Sequence, residues 1–292
     1  MVKDGWFDCH CHTWNSPDSK SDPEKICLSA IEKGLSGVSF TDHCNVNYYP
    51  DVDVLSVVLA SHKDAQRMSE RFSGSLKVLR GVELGNHAYN QEIVKRVLDI
   101  GGYDIVVGSV HAVSYMGYDQ NISRIDLQSF PEELVHGYLD VYFKEILRTV
   151  SNEDIDALAH IAFGVRYMAL PEGRRIDVSG YLDTIDFAFR EMIRRSIALE
   201  ININNVVPRR EIFGRIVMTV DGAMRELKVE QFYYELVKRY YAMGGRLITL
   251  GSDAHTPENV GRNFGEVVAK LKEIGFREGC YFQNREVKFY TL

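Results

Sequence analysis

Short apolar runs and longer amphipathic stretches take turns along the whole chain. The first run opens at Trp6 and Phe7 and continues through Asp8-Cys9-His10-Cys11-His12 into the polar loop Ser16-Pro17-Asp18-Ser19. It reads as a β-strand entering a turn. Asp22-Pro23-Glu24 then supplies an N-cap with proline at the first helical position, starting a helix that runs to about Lys33 and ends at Gly34. The second predicted strand is 37–43, followed by a long helix over 51–73, and the third strand runs from 77 to 84. A helix near 90–100 leads to the fourth strand, 103–111; a helix over 131–150 leads to the fifth, 155–160; a helix over 179–195 leads to the sixth, 197–203. A helix near 229–243 precedes the seventh strand at 247–252, and a last helix covers about 257–274. The tail from Cys280 to Leu292 adds a short strand, and the charged, β-rich insert at 208–228 reads as a hairpin or lid over the mouth of the fold.

Strand and helix in strict alternation imply parallel pairing with helical crossovers. No GxGxxG follows the first strand, so the expected α/β architecture is a TIM-like (βα)7 barrel rather than an open doubly wound sheet. Residues 1–292 then form a single domain with no linker or low-complexity run.

Polar residues interrupt the apolar runs at one recurrent place, the strand's C-terminal end. Side chains alternate faces along a strand, so His10 and His12 share one face and Cys9 and Cys11 the other. The last strand ends in a second alternating pair, Asp253 and His255. Imidazoles at a buried strand end are costly unless something uses their lone pairs, and a metal ion does so best. His43, Glu83, His111 and His160 each end a further apolar strand, where a structural histidine is hardest to explain. With Asp18 from the loop after the first strand, the candidate metal ligands are His10, His12, Asp18, His43, Glu83, His111, His160, Asp253 and His255. Nine ligands exceed one tetrahedral ion, and mixed nitrogen and oxygen donors suit two to three divalent transition-metal ions, Zn, Mn or Fe. Glu83 is the natural bridging carboxylate. Asp42 cannot share a face with His43 and is expected to support it or the fold, and Asp8 to orient a strand-one histidine. His62 and His136 fall inside helical patterns and read as surface or packing residues.

Composition narrows the setting. The apolar fraction of 45% and the charged fraction of 26% are ordinary for a soluble enzyme. A formal net charge of -7 argues against a general nucleic-acid surface. No apolar run approaches a membrane span and the N-terminus lacks a signal peptide's core, so a cytoplasmic protein is expected, a monomer or small homo-oligomer. The 5 cysteines (9, 11, 27, 44 and 280) have no CxxC spacing and read as free buried thiols, with Cys9 and Cys11 packed outward under helices.

Taken together, His10-x-His12, Asp18, Thr41-Asp42-His43, Gly81-Val82-Glu83, Gly108-Ser109-Val110-His111, Ala159-His160 and Ser252-Asp253-Ala254-His255 resemble the polymerase and histidinol phosphatase (PHP) family. The resemblance implies a distorted seven-stranded barrel with a trinuclear metal centre. Carried over by position, it assigns His10, His12, Glu83 and Asp253 to one ion. Glu83, His111 and His160 go to a second, and Asp18, His43 and His255 to a third. Within the family the chain looks most like the monofunctional histidinol-phosphate phosphatases, although Ile161-Ala162-Phe163 stands where a Pro-Asp type of continuation is expected.

The chemistry expected of such a site is hydrolysis of a small phosphomonoester, most simply L-histidinol phosphate, by a metal-bound hydroxide. Glu83, Asp253, His255 and Arg166 are the expected catalytic residues. Arg166, after the fifth strand, and Arg209, after the sixth, are placed to grip the phosphate bidentately, with Arg210 and Arg262 as weaker candidates. His87, in the loop after Glu83, is a further candidate substrate contact. An amidohydrolase would bring eight strands and a lone aspartate on the last. A proofreading nuclease would bring further domains.

Overall fold

The structure, a computed structural model, describes residues 5–207 and 211–292. Its strands, in chain order, are β1 (Phe7–Cys11), β2 (Gly37–Phe40), β3 (His43–Asn45), β4 (Lys77–Gly85), β5 (Ile105–Ser109), β6 (Ala157–Leu158) and β7 (Arg175–Asp177). They continue as β8 (Ala198–Asn202), β9 (Arg215–Val220), β10 (Ala223–Leu227), β11 (Ile248–Gly251), β12 (Glu278–Gln283) and β13 (Glu286–Thr291). One sheet runs in the order β1-β2-β4-β5-β6-β8-β11 with every neighbouring pair parallel, and β3 pairs beside β4. Its ends meet: Cys11 bridges Ala254, His12 N donates to Ala254 O at 2.9 Å, and Asp253 N donates to His10 O at 2.9 Å. The chain is therefore a nearly closed TIM-like barrel of seven parallel strands with helices between them, as the alternation predicts.

The strands are buried on both faces, which is why they read as continuous apolar runs. The first helix, Pro23–Glu32, begins as its sequence dictates: the Asp22 side chain accepts from Glu24 N at 2.9 Å, and Gly34 takes the left-handed conformation just past the end. Among the described residues no helix is long and apolar enough to cross a membrane.

The departures from the expected pattern have local causes. The second predicted strand is broken at Thr41-Asp42, because the Asp42 carboxylate gathers Thr13 N and the hydroxyls of Thr13, Ser16 and Ser61 at 2.6–2.7 Å. Asp42 is thus a fold-holding residue. The fifth strand shrinks to two residues: the Asp156 carboxylate accepts Val106 N at 2.7 Å ahead of it, and His160, with φ of 26°, turns the chain after it. The insert does contain a hairpin, β9-β10, but it joins the unforeseen β7 in a three-stranded sheet.

The tail is a two-stranded hairpin rather than a single short strand, and it docks on the barrel's N-terminal end. Asn284 N donates to Asp104 Oδ1 at 3.0 Å, and Arg285 Nε lies 2.6 Å from Asp156 Oδ2. Cys9 and Cys11 face away from the imidazoles and are buried, and Cys9 packs against this hairpin, its thiol 3.8 Å from Cys280 O. Asp8 orients backbone and not an imidazole: it accepts Ser252 N at 2.9 Å and Gly261 N at 2.8 Å, fastening the first strand to the last.

Candidate metal centre

The C-terminal ends of the barrel strands bring all nine candidate ligands to one place. Glu83, fully buried on β4, is the centre. Its Oε1 lies 2.8 Å from His160 Nε2 and 3.1 Å from His111 Nε2. Its Oε2 lies 3.6 Å from His10 Nε2 and 3.8 Å from His12 Nε2, and contacts His43 Nδ1. Asp253 Oδ1 is 3.2 Å from His12 Nε2, and Asp18 Oδ2 lies 3.5 Å from His43 Nε2 and 3.4 Å from His255 Nε2. Asp18 is the exposed member, its side chain 59% accessible, and marks the solvent side of the cluster.

What surrounds the ligands decides which ring nitrogen is free. His10 Nδ1 donates to Glu200 Oε1 at 2.5 Å, His12 Nδ1 to Ser16 Oγ at 3.1 Å, His111 Nδ1 to Asn45 Oδ1 at 2.9 Å and His255 Nδ1 to Asp253 O at 3.0 Å. Ser16 in turn donates to Asp42 at 2.7 Å and accepts from His43 N at 3.1 Å, so Asp42 supports two ligands through that hydroxyl, the ring of His12 and the backbone of its neighbour His43. With Nδ1 protonated and anchored, each of these four rings turns its Nε2 lone pair inward.

The Nε2 atoms of six rings approach in pairs. His10 and His12 approach to 3.0 Å between Nε2 atoms, His111 and His160 to 3.2 Å, and His43 and His255 to 3.4 Å. His43 Nδ1 and Glu83 Oε2 are in contact, yet neither makes a directed hydrogen bond. Ring nitrogens and carboxylate oxygens crowded this closely in a buried site suit metal ions between them. Three groups of ligand atoms fall within 4.8 Å of one another: His10, His12 and Glu83; His43, Glu83 and His111; and His12, His43 and His255. Glu83 belongs to two of them, the placement expected of a bridging carboxylate.

The charges divide the imidazoles: burial opposes protonation, but Glu200 and Glu83 outweigh it at His10, Glu83 and Asp18 at His43, and Asp18 and Asp253 at His255, raising all three. Burial pushes His12 well below its ordinary pKa and the neighbouring His43 and His255 push it further, which keeps it a neutral donor. Burial works against ionisation of Glu83, but His111, His43 and His10 outweigh it and hold the carboxyl well below the usual range. Asp253 behaves likewise, with His12 and His10 overcoming its desolvation.

A cavity of about 340 Å³ opens onto the cluster. Its walls include Asp18, His43, His111, His160, Asp253 and His255 from the cluster, together with Arg166, Asn204 and the apolar Phe163, Leu170 and Ile212. Arg166 reaches it from the short helix Phe163–Met168 rather than from a loop. Arg209 and Arg210 lie outside the described residues. Arg262 donates to Asn204 Oδ1 at 3.2 Å and Val207 O at 2.8 Å and is not part of the wall. His87 is not part of it either: the ring is fully buried beneath the 3-10 turn His87–Tyr89, without a hydrogen-bond partner. His62 and His136 pack as expected, against the Tyr103 ring and the Tyr181 hydroxyl.

Sequence reasoning missed Glu200, Ser16 and Asn45. Glu200 was within reach, because Glu200-x-Asn202 ends a buried strand with the same alternation as His10-x-His12. Nothing local marks Ser16 or Asn45.

A family model, the PHP domain, matches residues 8–204. A probable histidinol-phosphatase of Clostridium acetobutylicum is 30% identical over 97% of this chain and 99% of its own length. The chain belongs to the PHP domain family. A second relative, the histidinol-phosphatase of Lactococcus lactis, is 25% identical over 96% of each chain. The crystal structure of histidinol phosphate phosphatase from that organism, complexed with zinc, L-histidinol and phosphate, superposes with a TM-score of 0.76 at 22% identity, covering 97% of this chain and 98% of that one. That likeness establishes a shared PHP fold along nearly the whole length.

Proposed function

We propose that this PHP protein is a metal-dependent phosphomonoesterase that hydrolyses L-histidinol phosphate to L-histidinol and phosphate, with residues 1–292 acting as one domain. The observation that carries the reading is the set of imidazoles on His10, His12, His111 and His255. Each is anchored through Nδ1, with Nε2 turned toward Glu83 in His10, His12 and His111 and toward His43 and Asp18 in His255, beside a cavity with an arginine in its wall. The relatives support the substrate: two of them, matched over nearly their whole length, are named for histidinol phosphate hydrolysis.

His10, His12, Asp18, His43, Glu83, His111, His160, Asp253 and His255 would hold two to three divalent ions, Zn, Mn or Fe. When bound, these supply the Lewis acidity that activates water and neutralises phosphoryl oxygens. The chain's own residues do the rest. Glu83 and Asp253 provide the anionic charge that several close cations require. Arg166 offers a planar fork of N–H donors to the phosphate. Its guanidinium carbon lies 5.3 Å from the Phe163 ring and 5.2 Å from the Tyr167 ring, so aromatic faces hold the group at the cavity wall. Phe163, Leu170 and Ile212 line an apolar side suited to the alcohol portion.

The test is phosphate release from metal-loaded enzyme on a panel of phosphomonoesters that includes L-histidinol phosphate. The expected result is highest kcat/KM on that substrate, and a loss of roughly 2–4 kcal/mol of transition-state binding in Arg166→Ala with metal content unchanged. Fully loaded enzyme that is inactive on every phosphomonoester but active on an amide or lactone would overturn the reaction class.

A further inference from the structure

Arg166 stands in the cavity wall, where among the described residues no carboxylate pairs with it and one side chain gives it a directed hydrogen bond. Among the described residues its guanidinium has one hydrogen bond, from Nη1 to Asn205 Oδ1 at 3.3 Å. Asn205 lies on the helical turn Ile203–Val206, directly after β8, and is fully buried. Its Nδ2 has no partner, so no other hydrogen bond explains the side-chain amide. The amide cannot be turned over, since Nδ2 would then face the guanidinium donor to donor.

We propose that Asn205 is the positioning residue for Arg166 and thereby sets how tightly the phosphoryl group is held; the proposal rests on Arg166 gripping phosphate as argued above. The Phe163 and Tyr167 rings restrict the guanidinium to their faces but leave it free to slide across them. A directional acceptor at Nη1 removes that freedom. The chemistry of the acceptor matters too. A carboxylate here would fix the arginine equally well while neutralising it, whereas a neutral amide fixes it and leaves the full positive charge for a dianion. The same short turn also carries Asn204, whose Nδ2 donates to Asp253 Oδ2 at 3.0 Å. Adjacent residues on one short turn therefore contact both the phosphate-binding cation and a carboxylate of the candidate metal cluster.

The test is a double-mutant cycle on metal-loaded enzyme, reading kcat/KM on L-histidinol phosphate and the inhibition constant of inorganic phosphate. Asn205→Ala, and Asn205→Leu with the same branched heavy-atom skeleton, should each weaken phosphate inhibition and lower kcat/KM roughly tenfold, the size of one hydrogen bond to a charged group. Metal content should match the parent. In the R166A background the same substitutions should change neither quantity by more than about twofold, because Asn205 then has nothing to position. Parent-like phosphate inhibition in both Asn205 variants would overturn the proposal, and so would an equal loss in both backgrounds. If R166A itself behaves as the parent, the arginine's proposed role fails and this inference fails with it. If R166A is impaired while the Asn205 variants are not, only the present inference fails.

Discussion

Replacing Glu200 with glutamine isolates the support of the proposed metal cluster from the cluster itself. The Glu200 carboxylate serves three buried donors: His10 Nδ1 at 2.5 Å through Oε1, and His160 N at 2.7 Å and Asn202 Nδ2 at 3.2 Å through Oε2. Glutamine keeps the shape but has one oxygen and one NH2. In either orientation of the amide, one side of this arrangement becomes donor against donor. If the oxygen stays with His160 and Asn202, His10 can escape only by shifting its proton to Nε2, so that Nδ1 accepts from the amide. That move places a proton on the lone pair the metal needs, and binding must reverse it. If the oxygen goes to His10, the buried His160 N–H loses its acceptor beside a ligand. Either way the cost is about 1–3 kcal/mol, the value of one buried unsatisfied donor. This corresponds to roughly a 10–100-fold loss of metal affinity, the range seen for such supporting partners. The assay is competition for zinc against a chromophoric chelator, with thermal unfolding run in parallel. Glu200→Gln that binds zinc as tightly as the parent, in a folded protein, would refute the claim that Glu200 sets the His10 tautomer.

Three further outcomes are expected. Gly251→Ala should mimic and exceed that effect, because a Cβ there would lie 2.2 Å from Glu200 Oε1 and 2.9 Å from His10 Cβ; zinc competition on the folded variant checks it. Burial lowers the His87 pKa to about 4 from its ordinary 6.5. The unfolded chain thus binds more protons between those values, and stability should fall as pH drops through that window, by up to about 3 kcal/mol. Urea denaturation at pH 7 and pH 4.5 should show the slope, and His87→Phe should flatten it; an equal slope in the variant would exclude His87 as its source. Replacing Cys9 and Cys11 with alanine should cost about 1 kcal/mol each and leave metal content intact, since both thiols face away from the imidazoles. Elemental analysis showing metal loss in a folded double variant would put the strand in the opposite register.

The barrel was legible because its physics is periodic. Parallel strands buried on both faces must be apolar throughout, and their crossovers must be amphipathic, so alternation along the chain specifies the layers. The candidate ligands were legible for a related reason: a charged or imidazole side chain at the end of an apolar strand stands out against its own segment. His10, His43, Glu83, His111, His160, Asp253 and His255 all carry that signal. It weakens for residues whose environment is polar to begin with, and Asp18 in its loop was recoverable only through its company.

Tertiary structure decided everything that depends on a partner distant in sequence. Asn45 is 66 residues from the His111 ring it orients, and Glu200 is 190 from His10. The interruption after β2 comes from Asp42 collecting hydroxyls from two other segments, and the two-residue β6 from Asp156 capturing a neighbouring strand's amide. His87 shows the converse. A histidine following Glu83 in sequence seemed available to substrate, yet the chain's next turn buries it away from the cavity. Periodicity along the chain fixes which face a residue takes and which strand end it occupies. Hydrogen-bond partners, ring tautomers and the aim of Arg166 belong to contacts that exist only once the barrel has closed.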